Sequence, residues 1–132
     1  MGHDILFDAA GFNFTEPRDH FINPECFGDD VAAWLAAELT ARGFPTTEPG
    51  QEDWGWYVEV TTGPDCYFVG VGCTGATDAD PAKGEWRLMV EKHRTLWQKL
   101  TGKNQPAADE PIFAELERIL VSNRDVTNVR RG

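Results

Sequence analysis

Positive charge is scarce in this chain: twelve Lys or Arg stand against twenty-two Asp or Glu in 132 residues. A net charge of -10 repels phosphate backbones and anionic membrane surfaces at long range and attracts basic partners. Nucleic acid and membrane therefore drop out as expected partners. Long apolar runs are missing too. No stretch approaches the roughly 20 apolar residues of a membrane helix, and Met1-Gly2-His3-Asp4 lacks a basic region followed by an apolar run. The expected location is the cytoplasm. Cys26, Cys66 and Cys73 form no even-numbered framework and no C-x-x-C pair, which suits reduced thiols. His3, His20 and His93 make no H-x-x-x-H or H-E-x-x-H pattern, so the residues point to no metal and no cofactor.

What is present suffices for one core. Hydrophobic residues make up 41% of the chain and include five Trp, enough apolar material to offset the ordering entropy of the backbone. With no internal repeat and no low-complexity tract, residues 1–132 are expected to form a single domain. The charge is unevenly spread. Residues 1–65 hold thirteen acids against Arg18 and Arg42, whereas residues 83–103 hold six Lys or Arg against Glu85 and Glu91. The basic run is better explained as a counterweight to the acidic first half than as a nucleic-acid reader, which would be basic over a whole face.

The expected fold class is α+β, an antiparallel sheet of three to five strands packed on one face by two helices. The first helix, about residues 30–42, repeats Val31, Trp34, Leu35 and Leu39, takes Asp29 or Asp30 as its cap and stops at Gly43. The second, about residues 111–123, starts on Pro111 and repeats Ile112, Phe113, Leu116, Ile119 and Leu120. Between them a meander is expected over residues 54–93. Residues 54–62 alternate, Gly63-Pro64-Asp65 turns, residues 66–74 return, and residues 85–93 make the third strand. A three-residue loop sets Val60 opposite Phe68, Val58 opposite Gly70 and Trp56 opposite Gly72, and a slip of one residue would exchange the faces. Asp4-Ile5-Leu6-Phe7 and the tail from Val126 to Val129 are further strand candidates; residues 95–103 suggest a short helical turn. In that register one face carries Trp54, Trp56, Val58, Val60, Phe68, Trp86, Leu88 and Val90. The other carries Tyr57, Glu59, Tyr67, Val69, Val71, Cys73, Arg87, Met89 and Glu91, neither plainly polar nor plainly core.

Candidate chemistry is sparse. Gly70-Val71-Gly72-Cys73-Thr74-Gly75 spells G-x-G-x-x-G, but its first two glycines fall inside an expected strand and no amphipathic helix follows, so a nucleotide is not expected there. Cys26 follows Glu25 and Cys66 follows Asp65, settings that disfavour thiolate. Were the chain an enzyme or a small-molecule binder, Asp19, His20 and Glu59 would carry the chemistry in a pocket lined by Trp54 and Trp56. The more suggestive set is Glu52, Asp53, Trp54, Trp56, Tyr57, Glu59 and Tyr67, where carboxylates and rings together suit recognition of Arg or Lys. The leading expectation is thus an acidic cytoplasmic protein that binds a basic protein partner, as an immunity protein or an inhibitor of a toxin or nuclease would. A homodimer pairing through the semi-apolar sheet face is the third reading.

Overall fold

The computed structural model describes residues 4–13, 27–52, 55–63, 65–77, 81–92 and 111–132. It is an α+β fold with six antiparallel strands: β1 (Asp4–Ala9), β2 (Gly50–Glu52), β3 (Gly55–Thr62), β4 (Asp65–Ala76), β5 (Gly84–Lys92) and β6 (Val126–Arg131). Their order across the sheet is β2-β3-β4-β5-β1-β6. Helix α1 (Asp29–Ala41) lies between β1 and β2 in the chain, and α2 (Pro111–Val121) between β5 and β6. The strand count exceeds the three to five expected. The extra strand, β2, is three polar or glycine residues with no apolar alternation, so nothing in its pattern announces it. Residues 14–26 and 93–110, including the expected turn at 95–103, lie outside the described residues.

The sheet's inner face joins the helices in one hydrophobic cluster. Ile5, Phe7, Val58, Val60, Val69, Val71, Trp86 and Leu88 meet Val31, Leu35 and Leu39 of α1 and Ile112, Phe113, Leu116, Ile119 and Leu120 of α2, all fully buried. An Arg42 Nε to Glu115 Oε1 approach of 4.0 Å ties the end of α1 to α2. Among the described residues no helix is long and apolar enough to cross a membrane.

The ends of α1 show which local signals were legible. At its C-terminus Phe44 N–H donates to the Leu39 carbonyl at 3.0 Å and Gly43 N–H to that of Thr40 at 3.0 Å, the paired bonds of a Schellman stop. At its N-terminus the cap position is Gly28, not Asp29 or Asp30. Asp30 instead accepts from the Asn13 backbone N–H at 3.1 Å, which fastens the exit of β1 to the first turn of the helix.

The β3–β4 register also departs from expectation. Thr62 pairs with Asp65, so only two residues stand between the strands, and Gly63 adopts φ 63°. A positive φ at the first loop position is what tight two-residue hairpins demand, and glycine meets it without strain. Asp65 therefore belongs to β4. Val60 faces Tyr67, Val58 faces Val69 and Trp56 faces Val71. The inner face of β4 is accordingly Tyr67, Val69 and Val71, while Phe68, Gly70 and Gly72 turn outward.

A clasp secures the last strand. Arg131 donates to both oxygens of Glu117, Nε to Oε2 at 3.1 Å and Nη2 to Oε1 at 2.9 Å, with its guanidinium carbon 4.7 Å from the Phe113 ring centroid. The hydrogen bond from Arg131 holds the Glu117 carboxyl below its ordinary value, partly opposed by desolvation.

Two predictions follow from this packing. A Cβ at Gly55 would strike the Val71 carbonyl oxygen, whereas one at Gly72 would meet only Met89 Cε at 3.7 Å. Gly55→Ala should thus cost on the order of 1–3 kcal/mol in urea unfolding, and Gly72→Ala should stay within about 0.5 kcal/mol of the parent. For the clasp, a depressed folded pKa means its stabilisation is complete above the unfolded glutamate value of about 4.3 and is lost as pH falls through the folded value. Protection factors of the β6 amides, which correct for the intrinsic pH dependence of exchange, should fall on acidification below pH ~4 in the parent but not in Glu117→Gln, with a difference under ~1 kcal/mol because the pair is solvent-accessible.

Candidate binding face

The outer face of the sheet is built in rows by the strand pairing. One row reads Tyr57, Gly70, Met89 across β3, β4 and β5; the next, toward the hairpin, reads Glu59, Phe68, Glu91. Gly70 puts no side chain between Tyr57 and Met89, and Gly72 leaves the position beside Arg87 bare, so the middle of β4 forms a floor. Tyr57 and Phe68 stack diagonally above it, with ring centroids 4.9 Å apart and planes 21° from parallel. Tyr57 also lies so close over Gly50 of β2 that a Cβ there would sit 2.6 Å from the ring. Backbone beneath and a ring beside hold the tyrosine in one orientation. A depression of about 390 Å³ opens next to this stack, lined by Glu52, Phe68, Met89 and Glu91.

Charge divides the face in two. Over β1, β6 and the Glu85–Arg87 end of β5, acids and bases are matched. Arg87 Nη1 donates to Asp4 Oδ2 at 2.9 Å, Arg130 Nη2 donates to Glu85 Oε2 at 2.9 Å, and Arg130 Nη1 lies 3.5 Å from Asp8 Oδ1. Asn128 Nδ2 adds a bond to Asp8 Oδ2 at 3.2 Å, and Thr74 Oγ1 donates to Glu85 Oε1 at 2.7 Å. Over β2 to β5 the acids are unmatched: among the described residues the carboxylates of Glu52, Glu59 and Glu91 have no ion pair or hydrogen bond. Glu59 and Glu91 flank Phe68 from the two neighbouring strands, which places their Cα atoms roughly 10 Å apart. Three acids around a ring stack, with no base paired to them among the described residues, make a negative site that an incoming cation can neutralise.

The structure divides the residues expected at the site. Glu52, Tyr57 and Glu59 share the outer face. Trp56 and Tyr67, at 6% and 2% exposure, belong to the core on the other side of the sheet. Asp53 and Trp54, and likewise Asp19, His20 and Cys26, lie outside the described residues. Phe68, Met89 and Glu91 join the site, although the expected register had put Phe68 in the core. The signal that could have found them is the Gly63-Pro64 pair read as a two-residue hairpin, which turns Phe68 outward beside Tyr57.

The G-x-G-x-x-G run lies wholly within β4, so its backbone N–H groups form no helix N-terminus to receive a phosphate. Cys66 and Cys73 are both free thiols. Seven residues apart on one strand, they are separated by roughly 23 Å and cannot pair with each other. Burial pushes the Cys73 thiol above its ordinary value and the charge of Glu85 adds to this, while a 3.4 Å hydrogen bond from Gly75 N–H works the other way. Cys73 packs against the core in a setting that disfavours the thiolate. No family model, no curated protein and no solved structure matches the chain.

Cys73 should therefore alkylate with iodoacetamide at neutral pH more slowly in the native protein than in urea, as followed by peptide mass spectrometry. A native rate equal to the unfolded one would contradict the burial described here.

Proposed function

We propose that this chain is an acidic, cytoplasmic protein-binding domain that engages a basic protein partner through the outer face of its sheet, acting as an immunity protein or inhibitor of a basic toxin or nuclease. The observation that carries the reading is the split in charge on that face. Asp4, Asp8 and Glu85 are matched by Arg87 and Arg130, while among the described residues Glu52, Glu59 and Glu91 around Tyr57 and Phe68 are left unmatched. A folded chain of net charge -10 gains nothing in stability from such repulsion, and a basic surface would relieve it. Long-range attraction would raise the association rate, and the rings and Met89 would hold the docked partner against dissociation.

The alternative of a small-molecule site lined by Trp54 and Trp56 has no comparable support, because Trp56 is a core side chain. A symmetric homodimer through this face would set the same unmatched glutamates against each other.

The test uses the protein encoded beside this chain, where that protein is basic, and otherwise a panel of small basic nucleases and toxins. Association rates should fall by at least ~10-fold between low and high salt. The triple variant Glu52→Gln, Glu59→Gln, Glu91→Gln should lose most of that salt dependence, and Tyr57→Ala should mainly speed dissociation. Equal binding of acidic and basic proteins, or none of either, would overturn the proposal.

A further inference from the structure

Resting on the reading that this face binds a basic protein, we infer that the depression beside Phe68 is a pocket for one arginine side chain of that partner, and that it prefers a guanidinium to an ammonium group. Its walls argue for an amphipathic ligand. Among the described residues, a phenyl ring and a thioether line one part and two carboxylates, Glu52 and Glu91, line another. A neutral apolar ligand would bury the approaches to those acids without pairing them, at a desolvation cost. A bare metal ion is a poor fit as well, because among the described residues no three His, Cys, Asp or Glu side chains are grouped to hold one. A long cationic side chain satisfies both parts: its stem lies on Phe68 and Met89, and its charged head meets the acids.

The preference for arginine comes from the shape of the contacts. Guanidinium is planar, weakly hydrated and able to lie flat on a ring or thioether while its edges donate in the plane. Glu91 stands directly across from Phe68, so a head group resting beside that ring has a carboxylate at its edge. An ammonium head is compact and strongly hydrated, and it would give up more water in reaching the same place while offering no flat face. The glycine floor supplies the room. Any side chain added at Gly72 would start 3.7 Å from the Met89 methyl carbon and extend along the same face.

The chain has only two methionines, Met1 and Met89, so methionine methyl resonances report on the pocket directly. Full-length protein with 13C-labelled methionine methyls is titrated with the amides of Nα-acetyl-arginine, Nα-acetyl-lysine and Nα-acetyl-citrulline. The arginine compound should shift the Met89 signal saturably, the lysine compound should need roughly 10-fold higher concentration, and the uncharged citrulline compound should give no saturable shift. Glu91→Gln, an exposed and conservative change, should weaken the arginine response roughly 10-fold. Gly72→Leu should abolish it by filling the depression. Lysine matching arginine would overturn the preference for guanidinium and leave the broader reading standing. No shift at Met89 from either cation, with a basic protein still bound by the whole chain, would overturn the pocket alone; loss of both would overturn the pocket and the reading together.

Discussion

Two residues stand between β3 and β4, and the arrangement of the whole sheet depends on that number. A hairpin loop of fixed length sets which residues face each other, and the period of two in a strand then sets which side chains point inward. With Thr62 opposite Asp65, the small and medium apolar residues Val58, Val60, Val69 and Val71 fall together under the helices, and Tyr67 closes the edge of the core. The same pairing expels Phe68 and both strand-interior glycines to the outside. One additional loop residue would turn Phe68, Gly70 and Gly72 toward the helices and expose Tyr67, Val69 and Val71 instead. The hydrophobic penalty for that exchange is several buried side chains at roughly 1.5–3 kcal/mol each, so only one register competes.

The outer face inherits its chemistry from this choice. Residues that carry no burden in the core are free to be glycine, acid or ring, and they are. Toward β6 the face is knit by ion pairs that brace β1 between its two neighbours. Toward β2 the acids around a pair of stacked rings have no ion pair among the described residues. Surface pairs contribute little individually to folding, so the contrast between the halves bears more on what can approach each than on how firmly each is folded.

Much of the fold was legible because the relevant signals are local. The stripes of α1 and α2, the stop at Gly43, and the alternation of β3 and β5 all lie within a few residues of the elements they specify. The candidate site was legible only in part. Glu52, Tyr57 and Glu59 could be picked out as acids beside rings, but their company depended on the facing strand, which a single loop residue reassigns. Trp56 illustrates the limit. Next to Tyr57 in sequence, it lies on the opposite side of the sheet, because neighbours in a strand never share a face. Asp30 is a second case, its carboxylate used for a contact seventeen residues away that no helix-capping rule contains.

The strand order has a temporal consequence. β1 is made first, yet its partners β5 and β6 are made last, with Asp4 paired to Met89 and Ile5 to both Leu88 and Arg131. Pairings this distant in sequence close large loops and slow folding. On the ribosome the meander from β2 to β5 can assemble while one edge of β5 waits for a strand that has long since emerged. Once β5 is made, β1 can close onto it and make five strands continuous, and the C-terminal strand then covers the remaining edge of β1.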